Sequence, residues 1–454
     1  MQESESAFTR RRALAATGVV LFAGCVGGGS DDTEADDAEP TDLTPIPDDY
    51  DHPKPTDEAD WEPAEGSPLA PDIEVEVLIE NLEVPWDITF STGGELFVTE
   101  RTGNVLRFDS GEISDLASPV DAIDAGAVEP GTDEQPWWVE GGEGGTLGIA
   151  AHPDESYVYV YYTADSDEPR NRVVRYDVES SEPAETEEII VDDIPANIDP
   201  GIHNGGRIAF GPDENLWICT GDAHDETLPR NLDSLAGKIL RVSPEGEPLE
   251  TNPDLGGDPR VFTYGHRNPQ GIDWLPDGVP VVTDHGPTAR DEIQILRPGG
   301  DYGWPEVRGG PSDEDWDTYA DHDEFVPPVV HTGSGTTWAP TGATFYDGEE
   351  IPAWRNRYLV AGLISESVYV VTLTPPAGEL PPVEGGELYD DNWLDDAYRA
   401  SAHRILESEL GRVRHVAQSP EGELYAITSN RDGRADDDSP FPREHDDVLV
   451  RLRT

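Results

Sequence analysis

Three short runs concentrate the residues of this chain that could do chemistry: His203-Asn204-Gly205-Gly206-Arg207, Tyr264-Gly265-His266-Arg267-Asn268-Pro269-Gln270-Gly271 and Asp284-His285-Gly286-Pro287. In the second run an Arg-Asn pair is held between a Gly and a Pro just ahead of a predicted strand. Guanidinium and amide present fixed, donor-rich planes, which suit a planar ligand rich in carbonyls and carboxylates. In the third, Gly286-Pro287 offers two backbone carbonyls at a strand exit, hard oxygen donors of the kind calcium takes. Each run alone is compatible with ordinary loop architecture. Their occurrence together points to a site.

The elements that must position these runs repeat along the chain. From residue 73 onward a unit recurs: an alternating strand, a Gly/Pro/Asp turn, a second strand rich in aromatic and β-branched residues, then a third. Predicted strands are 87–90, 96–98 and 105–108; 148–151, 158–162 and 172–176; 207–210, 216–219 and 238–242. The remaining units are 271–274, 281–283 and 292–296; 342–346, 358–362 and 367–373; 415–419, 424–428 and 448–452. Six all-strand copies at roughly 60–70 residues, with long insertions at one set of connections, predict an all-β, six-bladed β-propeller with long loops on its active face.

Counting outward from each turn places the chemistry. The turn Pro212 to Asn215 folds its flanking strands into a hairpin, so His203 and Asp222 fall at the same end of the third unit. A carboxylate beside an imidazole fixes its tautomer and stabilises the imidazolium formed when it takes a proton. By the same logic Arg267, Asn268 and the Gly286-Pro287 carbonyls share one end of the fourth unit, and Arg412 and Arg414 precede the first strand of the sixth. All converge on one mouth of the central channel. A base, a carbonyl pair and three arginines around a funnel describe a site for a polyanionic, carbonyl-bearing ligand.

Composition narrows the class. There are 96 Asp+Glu against 29 Lys+Arg, a formal charge of −67. So large a charge self-repels in dilute buffer and is screened when ions are concentrated, so it reads as adaptation to salt. It excludes nucleic acid and anionic membrane surfaces as partners. The first 25 residues read as an export signal of the twin-arginine type: Arg10-Arg11-Arg12 precedes the apolar run Ala13 to Ala23, which is too short to span a bilayer. Phe22-Ala23-Gly24-Cys25 reads as a lipobox with Cys25 as lipid anchor, simple secretion being the alternative. Residues 26–72 are acidic and proline-rich, a disordered tether; 73–454 form the catalytic domain. Cys219, in the apolar run 216–219, is expected to be a small buried hydrophobe, and no disulfide can form within the mature chain.

On the runs quoted above, together with Gly142-Glu143-Gly144-Gly145, Asp291-Glu292-Ile293 and Asp301-Tyr302-Gly303-Trp304-Pro305, residues 76–452 resemble the soluble pyrroloquinoline quinone (PQQ)-dependent sugar dehydrogenases, and within them the aldose sugar dehydrogenases. The resemblance implies His203 as general base, Asp222 as the carboxylate orienting it, and Arg267 with Asn268 on the quinone. Arg412 and Arg414 would meet the cofactor carboxylates. It implies Gly286 and Pro287 on a catalytic calcium, and Glu292 with Tyr302 at a second, structural calcium. Three positions depart from the pattern. Glu143 stands at a cofactor-binding position where the glucose dehydrogenases use Gln; Ile202 replaces an Asp before the base; Ile364 replaces a cofactor-binding Lys, which implies either lower cofactor affinity or compensation by another cofactor-binding group such as Arg207. The expected reaction is oxidation of an aldose at C1 to a lactone, with electrons passed to an unidentified acceptor. The alternative is a calcium-dependent hydrolase such as a lactonase, which six-bladed propellers also host.

Overall fold

The computed structural model describes residues 61–69, 71–109, 111–125, 142–154, 156–198, 201–435 and 439–454. Twin arginines, lipobox Cys25 and most of the acidic stretch lie outside them.

Six antiparallel sheets follow one another along the chain. Blade 1 runs from Pro85–Phe90 to Glu112–Ala117, blade 2 from Thr146–Ala151 to Glu188–Pro195, and blade 3 from Ile208–Phe210 to Val261–Tyr264. Blade 4 runs from Pro269–Trp274 to Val330–His331, and blade 5 from Pro340–Tyr346 to Arg399–Ile405. Blade 6 takes Val413–Gln418, Leu424–Thr428 and Leu449–Arg453, and is completed by Glu74–Ile79 from the other end of the domain, whose partner is the last strand. That pairing closes the ring and removes the free edge an open circle of blades would expose. The first strands of the six blades contact one another in a closed circle.

Every predicted strand is present, within a few residues of its expected bounds. The sequence pattern missed the outermost strand of each blade: edges such as Glu112–Ala117 are exposed and lack the apolar alternation of the inner strands, while Val261–Tyr264 and Val330–His331 are buried but too short to show a period. It also missed the strand Glu74–Ile79 as the closing element.

The core is distributed between blades. Separate apolar clusters lie between blades 1 and 2 (Phe97, Ile149, Tyr162), 2 and 3 (Tyr161, Ile218, Leu240), 3 and 4 (Trp217, Phe262, Val282), 4 and 5 (Val281, Tyr358, Val371), 5 and 6 (Leu359, Val416, Val450), and 6 and 1 (Ile427, Val98, Leu449). Cys219 is fully buried in this packing, and burial pushes its thiol well up, so it serves as a small apolar group.

One boundary moves. Residues 61–69, expected to belong to the disordered tether, pack on blade 5. The Trp61 ring stacks on Tyr398 and meets Phe345 edge-on, Trp354 Nε1 donates to the Pro68 carbonyl at 2.9 Å, and Asn356 donates to the Glu62 carbonyl at 2.9 Å. One large aromatic in a polar stretch is enough to anchor it.

Candidate active site

Five of the six blades carry a register shift in the first strand near its channel-mouth end: Pro85/Asp87, Thr146/Ile149, Pro269/Gly271, Pro340/Ala343 and Val413/His415. A bulge re-aims the extra side chain. In blades 1, 4 and 6 the residues so displaced are Trp86, Gln270 and Arg414, and they meet. Arg414 NH1 donates to Gln270 Oε1 at 3.2 Å, and its guanidinium lies 5.9 Å from the Trp86 ring.

Above them opens a cavity of about 230 Å³ lined by Arg101, Glu143, His203, Arg267, Asn268, Gln270, His285, Leu363, Ile364, Arg412, Arg414, Asp432 and Arg434, among others. His203 is held there by a backbone in the left-handed region (φ 60°), an uncommon conformation for a non-glycine residue that marks sites where structure over-determines the chain. Gly205 and Gly206 make it feasible. A side chain on Gly205 would collide with the Cys219 carbonyl and the Gly221 N–H, so the loop can close onto blade 3 only with hydrogen there.

The His203 ring is held from both sides. Nδ1 lies 2.8 Å from Asp222 Oδ1, and Arg267 NH2 lies 2.9 Å from Nε2. A guanidinium can only donate, so Nε2 is the unprotonated nitrogen and Nδ1–H donates to Asp222. Asp222 is fixed in turn: Trp304 Nε1 donates to its Oδ2 at 2.8 Å and the His224 N–H to its Oδ1 at 2.7 Å. Arg267 stacks over Trp304 at 5.3 Å, and burial lowers its pKa. The turn carrying Arg267 and Asn268 is tied by Asp284, which accepts their two N–H groups at 3.0 and 2.7 Å. Burial works against the Asp284 charge, but Arg308 and His266 outweigh it and hold the carboxyl below its usual range.

Glu143, the departure from Gln, acts as an acceptor only. Its Oε2 takes the His203 N–H at 3.1 Å and Asn268 Nδ2 at 3.3 Å, and its Oε1 pairs with Arg434 at 2.6 Å. Burial alone would raise its pKa; Arg434, His203 and His285 together hold it far below the usual carboxylate range. Asp432 pairs with Arg412 at 2.6 Å and lies 3.6 Å from Arg414. Five guanidiniums thus face two carboxylates in a chain whose formal charge is −67. Burial and mutual crowding press Arg101 down to about 9, and burial presses Arg414 down to about 10. Among the described residues, Arg267 Nε, Arg412 Nε and His285 Nε2 are buried with no hydrogen-bond partner. Buried polar atoms without partners are costly, and an anionic, oxygen-rich ligand would satisfy the two guanidinium donors.

The sequence profile of the Glucose / Sorbosone dehydrogenase family matches residues 82–436. This chain belongs to that family. Aldose sugar dehydrogenase YliI of Escherichia coli K12 is 26% identical, covering 80% of this chain and 91% of the relative. Quinoprotein glucose dehydrogenase B of Acinetobacter calcoaceticus is 25% identical over 80% of this chain and 86% of its own. Among solved structures, the PQQ-bound aldose sugar dehydrogenase of Streptomyces coelicolor superposes with a TM-score of 0.62 at 30% identity, covering 84% of this chain and 98% of that one. This chain is a sugar dehydrogenase on a six-bladed propeller.

Of the residues predicted for the site, His203, Asp222, Arg267, Asn268, Glu143, Arg412 and Arg414 come together at the cavity. Gly286 and Pro287 follow His285 on the same turn; the Pro287 carbonyl accepts the Ala289 N–H at 2.7 Å and faces Arg290 NH1 at 3.4 Å. Arg207 does not join them. It lies below Trp86 inside the channel, stacked on that ring at 4.5 Å, ion-paired with Asp87 and donating from Nε to the Gln270 carbonyl at 2.8 Å. His415 sits 2.6 Å from the same Asp87. Strand alternation turns Arg207 inward one residue past the glycines, so it forms a central plug and cannot stand in for the missing Lys. Arg101, Arg434, Asp432, Gln270 and His285 went unassigned. The strand-exit count used for blades 3 and 4 would have found Arg101, which follows the second strand of blade 1, and Asp432 and Arg434, which follow that of blade 6.

Proposed function

We propose that this chain oxidises aldose sugars at C1 to lactones, with PQQ bound in the Arg-lined cavity and calcium at Gly286-Pro287. The observation that carries the reading is the excess of guanidiniums over carboxylates, with unsatisfied buried donors, around an Asp-oriented imidazole. A planar tricarboxylate matches that donor set. Arg101, Arg412, Arg414 and Arg434 would take its carboxylates, and Arg267 with Asn268 its carbonyl edge. Arg434 and Arg101 supply the positive charge that Ile364, half exposed at the rim, does not. Calcium at the Gly286-Pro287 turn would rest on main-chain oxygens, which fits a site where, among the described residues, no three His, Cys, Asp or Glu converge on one point.

When bound, the quinone supplies a two-electron acceptor for the hydride leaving sugar C1. The chain's own part is the proton. His203 Nε2 exchanges its contact with Arg267 for the anomeric hydroxyl and accepts that proton, Asp222 stabilises the imidazolium, and Arg267 is freed to donate to the growing negative charge. The two electrons would leave the site to an acceptor outside this chain.

A lactonase would require carboxylate and amide oxygens gathered on a channel metal, whereas Glu143 and Asp432 are each committed to an arginine. We further propose that the protein is exported through its paired arginines and held at the cell surface by a lipid on Cys25. The deciding experiment for the activity is dye-linked oxidation of a panel of aldoses in concentrated salt, with and without PQQ and calcium.

A further inference from the structure

The resemblance assigns Glu292 and Tyr302 to a second calcium. In the structure their oxygens already have partners from the same chain. Arg308 donates from NH1 to Glu292 Oε2 at 2.8 Å and from NH2 to the His285 carbonyl at 3.0 Å, and NH2 lies 3.3 Å from Asp284 Oδ2. Gln294 Nε2 donates to the same Glu292 oxygen at 2.7 Å. The Tyr319 hydroxyl lies 3.0 Å from both Glu292 Oε1 and the Tyr302 carbonyl, sharing its proton between them. The Tyr302 hydroxyl is committed to the Ile295 carbonyl at 2.7 Å and the Arg297 N–H at 2.8 Å. Arg308, Glu292 and Asp284 have no solvent-exposed side-chain surface. Calcium takes six to eight oxygens, and here it would have to expel a guanidinium that neutralises two buried carboxylates. The donor set does not fit a second ion.

We propose that Arg308 is a built-in replacement for that ion, a permanent internal cation that also positions the active-site turn. The positioning follows from its partners. Asp284 carries the N–H groups of Arg267 and Asn268, and His285 lines the cavity. The segment delivering the guanidinium is itself secured, since His331 Nε2 donates to the Arg308 carbonyl at 2.9 Å and the short strand Val307–Gly309 pairs with Asp317–Thr318. Removing such a cation leaves carboxylates buried without compensation, the most destabilising way to break an internal ion pair.

The test is a calcium titration of the chain without quinone or sugar, in concentrated KCl so that loose association with the acidic surface is screened. At most one tight calcium per chain is expected, unchanged in Glu292→Gln. Two tight ions in the wild type, or one that Glu292→Gln abolishes, would overturn the proposal. Arg308→Ala supplies a second readout. Its unfolding midpoint in chelator should drop by at least about 5 °C, and millimolar calcium should restore more of it than in the Arg308→Ala/Glu292→Gln double variant. Equal loss with and without calcium would mean that the pocket does not act as a cation site. If Arg308→Ala folds in neither condition, the wild-type titration decides. No quinone or sugar enters these measurements, so their outcome is separate from that of the redox reading.

Discussion

At the scale of single residues the account turns on a histidine whose two nitrogens are assigned by their neighbours. His203→Ala or His203→Gln should lower dye-linked aldose oxidation by roughly 10²–10⁴-fold, the usual contribution of a positioned base, while PQQ still binds in a spectral titration; near-normal turnover would remove His203 from the mechanism. Glu143→Gln is expected to act the other way on binding. It removes a negative charge from the cavity and releases Arg434, so PQQ should bind more tightly, and weaker binding would show that the carboxylate itself helps hold the site. The imidazole, its carboxylate and the Arg-Asn pair were legible because their motifs are local and their hairpins countable. Arg207 was misplaced because a one-residue difference in register sends a strand side chain to the plug or to the mouth, and bulges set that register.

At the scale of elements, the propeller was legible from its repeated turns. In blades 1, 4 and 6 a glycine at positive φ (Gly94, Gly278, Gly422) donates its N–H back to residue i of the turn at 2.8–2.9 Å. The outer strands and the ring closure were not legible, since these edges are either exposed or only a few residues long and so carry little periodicity, and pairing of the two ends is a long-range event. Neighbouring blades are also cross-linked by polar groups. Asp273, at the end of the first strand of blade 4, accepts the Phe345 N–H at 2.7 Å and the Thr344 hydroxyl at 2.8 Å from blade 5. Burial raises its pKa to about 6 from the ordinary 3.8. A raised carboxyl binds more protons in the folded state, so its contribution is fully present below about pH 4 and is lost as pH rises through 6. Asp273→Asn should therefore gain stability relative to wild type between pH 4 and 7, by up to about 3 kcal/mol from the two-unit shift. A difference between the two midpoints that stays flat across that range would contradict this.

At the scale of the whole molecule, the surplus of acidic residues is an electrostatic load carried by a ring with no disulfide. Lowering salt lengthens the Debye screening distance from about 3 Å at 1 M to about 10 Å at 0.1 M, so the unfolding midpoint should fall steadily on dilution from concentrated KCl; a midpoint that rises would contradict the salt-adaptation reading. Cys25→Ser should release the protein from the cell surface, and Arg10-Arg11→Lys-Lys should keep it inside, as fractionation of expressing cells would show. The central claim is that this ring is a quinone-dependent sugar dehydrogenase. It is tested most directly by titrating the metal-free chain with PQQ in calcium and concentrated salt while following dye reduction by an aldose. The account predicts activity that rises to a plateau at one PQQ per chain, yields lactone, and is lost in His203→Ala at unchanged PQQ binding. No PQQ-dependent dye reduction, with lactone hydrolysed in its absence, would contradict it.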